Sequence, residues 1–126
     1  MELPSEVGRD ESLHRAIHSD LWNDVLDRAV SGAFKNPEGL SVDRDGKRSF
    51  DAIKESLFFR HDRNKHRCIA YVSAGFCLDI SAAVVADPVP EGANKNEFHA
   101  LILDSPTKKE LSDSKAKKIA KNCSYY

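Results

Sequence analysis

From Cys68 to Ala86 runs the most apolar stretch of the chain, CIAYVSAGFCLDISAAVVA, and its interruptions decide what it can become. Gly75 and Asp79 break it, which makes it a poor membrane span, because a spanning helix needs about 20 consecutive apolar residues. Divided at those points, it reads as a buried strand over 68–73 and a second strand over 83–86. The segment between them, 74–82, suits either a strand or a short helix. A chain with such pieces must bury them. With 126 residues, 40% of them hydrophobic, it has material for one core of ordinary size and too little for two. A single domain over 13–126 is expected, preceded by a polar, flexible lead-in over 1–12.

The remaining elements follow from spacing and caps. Leu21, Trp22, Val25, Leu26, Ala29 and Val30 draw one stripe at helical spacing, with Ser19 or Asp20 as cap and Gly32 as stop, and predict a first helix. Turns at 35–39 and at Asp45-Gly46 bracket a short strand, Leu40–Asp43. Ser49 caps a second helix with Phe50, Ile53, Leu57 and Phe58 on its face. Pro88 and Pro90 hold 87–94 as a loop before a buried strand, FHALIL, over 98–103. Ser112 or Asp113 then opens a Lys-rich helix with Ala116, Ile119, Ala120 and Cys123 at helical spacing. These elements do not alternate strictly, and they predict an α+β fold: a small sheet of about four short strands with about three helices packed mainly on one face.

Formal net charge is -1, so no global field points to nucleic acid or to a membrane. The charge is nevertheless uneven, with an acidic front and lysines gathered near the end, and such asymmetry predicts a protein partner. The three cysteines are an odd number with no C-x-x-C among them, and Cys68 and Cys77 sit in apolar runs, which fits a reducing compartment. The first residues lack a basic segment followed by an apolar one, so no signal peptide is expected and a cytoplasmic setting is.

Of five histidines, His14 and His18 stand four apart and share a side on helix or strand. No third ligand stands at metal-site spacing, so no metal is expected, and no glycine-rich loop predicts a nucleotide cofactor. His61 and His66 lie in a charged connector and read as solvated. His99 lies in an apolar strand directly after the Pro-rich loop, where an acid or base can be built. Ser41 and Asp43 share one side of their strand, opposite Leu40 and Val42. Together His18, Ser41, Asp43 and His99 are the candidate catalytic residues of a small enzyme acting on a nucleotide or nucleic acid. For nucleic-acid contact the candidates are Arg60, Arg63, Lys65 and Arg67 in the connector, with Lys115 and Lys118 on the last helix. With no recognisable catalytic motif, the leading expectation is a binding or accessory module for another protein.

The segments LHRAIH (13–18), SGAF (31–34), LSVD (40–43), ADPVPE (86–91), FHALI (98–102) and LSDSKAKKIAK (111–121) resemble those of a loose group of short uncharacterised bacterial proteins. That resemblance implies a bacterial intracellular setting and adds weight to His18, Phe34, Ser41, Asp43, Pro88 and His99. The opening LHRAIH also looks somewhat like that of ADP-ribosyltransferase-type enzymes, a resemblance that implies His18 and Glu97 as the nucleotide-holding histidine and the late acid.

Overall fold

The computed structural model describes residues 3–126. Its centre is a six-stranded, wholly antiparallel sheet in the order β6-β7-β4-β1-β5-β8. The strands are β1 (Ser12–His18), β4 (Leu40–Arg44), β5 (His66–Ser73), β6 (Ala83–Ala86), β7 (His99–Leu103) and β8 (Ser124–Tyr125). A separate hairpin joins β2 (Trp22–Asn23) to β3 (Arg28–Ala29). Three helices complete the fold: α1 (Phe50–Arg60), α2 (Ala74–Asp79) and α3 (Asp113–Asn122). The α+β class is thus as expected, with six strands in the main sheet rather than about four. Among the described residues no helix is long and apolar enough to cross a membrane.

One face of the sheet carries most of the core. Leu13, Val42, Val72 and Ile102 pack there with Ala116 and Ile119 of α3 and Cys77 of α2. The other face receives α1, whose Ile53 and Leu57 close on Ile69 in a smaller cluster. Helices therefore cover both faces, two on one side and α1 alone on the other. Each helix begins on a serine whose hydroxyl accepts an orphan backbone N–H: Ser49 from Ala52, Ser73 from Phe76 and Ser112 from Lys115. The segment left open at 74–82 thereby resolves as a helix at its start.

The helix predicted over 20–30 does not form. Ser19–Leu21 make one 3-10 turn, and β2 and β3 then pair through a four-residue loop. Asn23 Oδ1 accepts the N–H groups of Val25 and Leu26, and Asp27 takes the left-handed conformation at φ 53°. Such side-chain turns compete with helix, and here Leu21, Trp22 and Ala29 reach the core from the 3-10 turn and hairpin while the loop points Val25 outward. Val25 is left 92% exposed.

The lead-in is tied down at several points: the carbonyls of Arg9 and Glu11 accept the N–H groups of Gly75 and Ala74, and Arg9 pairs with Asp79. Buried Arg44 donates Nε and Nη2 to the two carboxylate oxygens of Glu11 and Nη1 to the carbonyl of Pro4. The bidentate pairing suits the planar guanidinium.

Candidate functional site

A break in the sheet creates the site. β1 and β4 pair only at Leu13 with Arg44 and at His14 with Asp43, beyond which the ladder between them ceases. The side chain of Arg15 occupies the split: Nη1 donates to the carbonyl of Ser41 at 2.9 Å and Nε to that of Ala33 at 3.1 Å. It thus satisfies a carbonyl that a continued ladder would have used. Arg15 forms no ion pair with an acid among the described residues.

The split opens into a cavity of about 350 Å³, within the range small-molecule sites occupy. His18, Ser41, Asp43 and His99, the four candidates for catalysis, all line it. So do His14, His61 and His66, so that every histidine of the chain borders one space, together with Arg15 and Arg60.

These groups are not equivalent. Asp43 is nearly buried and fully engaged: Arg60 Nη2 donates to it at 2.6 Å, Asn96 Nδ2 at 2.8 Å, and Arg48 stands 3.9 Å away. It anchors the α1 end and the 87–98 loop to the sheet. His14 is also engaged. Ser12 Oγ donates to Asp45, so His14 Nε2–H donates to Ser12 at 2.7 Å and Nδ1 accepts from the hydroxyl of Tyr126 at 2.9 Å. Stacked on Tyr71 and fully buried, it has its pKa pushed down to about 4, chiefly by the loss of solvation, against the pull of Asp45.

The other imidazoles keep a nitrogen for chemistry. His99 Nδ1–H donates to the carbonyl of Asp87 at 2.9 Å and lies 3.1 Å from its carboxylate, leaving Nε2 unused. His66 Nδ1–H donates to the carbonyl of Asp62 at 2.7 Å, again leaving Nε2. His18 is held the other way round, because its Nδ1 accepts the N–H of Asp20 and the proton therefore sits on Nε2. Its ring lies 5.4 Å from that of His66, which lies 5.1 Å from that of His61. Partial burial, then His66, Arg60 and Arg15, lower the pKa of His61, so it is neutral at pH 7.

His61 is exposed, as its solvated reading expects, and His66 is half-buried, but that reading does not show that both border the cavity. Arg15 was also missed, because nothing in LHRAIH announces a split ladder. Ser41 lines the cavity with its hydroxyl free of hydrogen bonds to described groups. Glu97 is exposed and does not line the cavity, so the pairing of His18 with Glu97 is not assembled. Among the described residues no group of three His, Cys, Asp or Glu could hold a metal ion.

The residues expected to touch nucleic acid divide between two faces. Arg60 enters the cavity, Arg63 and Lys65 are exposed on the connector after it, and Arg67, in β5, lies over the Trp22 ring away from the cavity. Lys115 and Lys118 belong to α3, which packs on the opposite face of the sheet. Lys115 is further committed, donating Nζ to the carbonyls of Ser81 and Asp104.

No protein-family model matches the chain, and no curated protein or solved structure matches it either.

Proposed function

We propose that the chain binds a phosphate-bearing ligand of the nucleotide class in the split-sheet cavity and acts on it by acid–base chemistry. One observation carries this reading: the cavity concentrates Arg15, Arg60 and five histidines around a single carboxylate, Asp43, which Arg60 and Asn96 already occupy. Such a space is rich in donors and has little negative charge to spare, which suits a phosphate, and arginine is well shaped to hold one. His99 and His66 present an unused Nε2 and His18 an Nε2–H, so the same wall offers proton acceptors and a donor.

A module for a protein partner, expected from the charge asymmetry, is the second reading. Exposed Val25 and Leu26 at the tip of the β2–β3 hairpin favour it, since both are apolar and project into solvent. The cavity argues more strongly for a small anion.

Calorimetric titration with pyrophosphate and with adenosine monophosphate tests the first reading. Binding with a dissociation constant at or below about 1 mM is expected, weakening as salt rises. Absence of heat with both, in a sample that melts cooperatively, overturns it.

A further inference from the structure

Resting on that reading of the cavity, we infer that the substrate is single-stranded RNA, cut at the cavity mouth by His61 and His66 through attack of a ribose 2′-hydroxyl on the neighbouring phosphorus.

The geometry begins with the two rings, 5.1 Å apart by their centres on either side of the mouth-forming connector. His66 is steadied by its Nδ1–H on the carbonyl of Asp62, so Nε2 can take or give a proton without loss of that bond. The His61 imidazole makes no hydrogen bond to a described group, and its lowered pKa leaves it neutral at pH 7, which fits it for the base. His18 Nε2–H and the Arg15 guanidinium border the same cavity and can hold the non-bridging oxygens.

A polymer, rather than a free nucleotide, fits what surrounds the mouth. Arg63 and Lys65 are exposed on the short connector between the two histidines, and neither forms an ion pair with a described acid. Asp62, the one acid between the histidines, spends its Oδ1 on the N–H of Asn64. Arg63, whose guanidinium lies 5.0 Å from the Phe58 ring, and Lys65 can meet the phosphates that flank the one in the cavity, and Phe59, 92% exposed next to Arg60, offers a ring on which a base can stack. Attack by a 2′-hydroxyl asks only for one imidazole that accepts a proton and one that gives one, since the strand carries the nucleophile beside its own phosphorus, and Asp43, held by Arg60 and Asn96, takes no part.

In the step, the proton of O2′ passes to the free ring nitrogen of His61 as O2′ bonds to phosphorus. The bond from phosphorus to O5′ breaks, and O5′ takes the proton on Nε2 of protonated His66. The products are a 2′,3′-cyclic phosphate and a 5′-hydroxyl. Each histidine ends in the other's starting charge state, and exchange with solvent restores both.

An end-labelled RNA oligonucleotide and its DNA counterpart, incubated with the full chain in EDTA and resolved by mass spectrometry, test this. The RNA should be cut to cyclic-phosphate ends and the DNA left whole. H61Q and H66Q should each slow cleavage by about 100-fold or more while melting as the wild type does, and the double variant R63A/K65A should raise KM at unchanged kcat. Uncut RNA, equal cutting of DNA, or full activity in H61Q and H66Q overturns the proposal. Titration of the same samples with pyrophosphate and adenosine monophosphate separates the two readings. Binding without cleavage removes RNA cleavage and leaves the anion site, whereas no binding removes both.

Discussion

Arg15 on β1 donates its Nη1 to the carbonyl oxygen of Ser41 on β4, bridging with a side chain two strands that have stopped pairing through their backbones. One residue thereby closes the gap in the sheet and puts a positive charge at the base of a cavity.

Arg15→Met keeps much of the side chain's bulk and removes the donors. The carbonyls of Ser41 and Ala33 are left without them, at a cost of about 1–3 kcal/mol, readable by urea denaturation. Pyrophosphate binding should fall by at least about tenfold. Unchanged binding in a folded variant removes Arg15 from the anion site.

Asp43→Ala leaves Arg60 and Arg48 without their counter-charge and Asn96 without an acceptor. Breaking a buried network from one side costs about 3 kcal/mol, or about 10 °C in Tm for a chain of this size. Asp43→Asn, which still accepts hydrogen bonds, should lose less. Equal losses in the two variants would mean that packing rather than charge holds this corner.

Stability should fall on mild acidification, and His14 supplies the reason. Its pKa drops from an ordinary 6.5 to about 4 on folding, so between those values the unfolded chain binds the proton and the folded one does not. Stability is therefore complete above about pH 6.5 and is lost progressively as pH falls toward 4. At pH 5 the loss from this residue is about 2 kcal/mol. Urea denaturation of wild type and His14→Gln at pH 7 and pH 5 checks it: the variant is less stable at pH 7, and its own difference between the two pH values should be much smaller.

The thiols should be inert in the folded chain. Burial pushes Cys68 up to about 11 and Cys77 and Cys123 up to about 12, so almost no thiolate exists near neutral pH. Iodoacetamide in mildly alkaline buffer should label the native protein slowly and the guanidinium-unfolded protein completely. Rapid native labelling of Cys77 would show that α2 opens.

Much of the architecture was written in the sequence at short range. Ser49 and Ser112 announced their helices because a cap acts within one turn, and Pro88 and Pro90 fixed the loop before β7 because proline acts on its own backbone. The strand LSVD was readable from flanking turns, and its alternation correctly set Ser41 and Asp43 on one side. The stripe from Leu21 to Val30 misled because Leu21, Trp22 and Ala29 reach the core from a turn and hairpin as well as from a helix, and spacing alone does not tell the two apart. β1 escaped for the opposite reason: both of its faces are buried, one under apolar residues and one under Tyr71, Phe50 and Tyr126, so LHRAIH shows no clean alternation. In the site, His18, Ser41, Asp43 and His99 were nominated one by one, but that they border one space depends on strand order. Nothing local revealed that His61 and His66 would be drawn in beside His18, since β1 and β5 pair across more than forty residues of intervening chain.

That strand order also governs how the molecule comes into being. β1 finds its partner β5 only after most of the chain has been laid down, and its other neighbour, β4, must stop pairing partway for the split to appear. Sheets assembled from such distant pairings fold in milliseconds to seconds rather than microseconds. The cavity walls come from β1, β4, α1, β5 and the start of β7, so no partly folded fragment can display them together. A ligand seated there should accordingly slow global unfolding and raise the melting point of the whole chain at once, with no separate local transition.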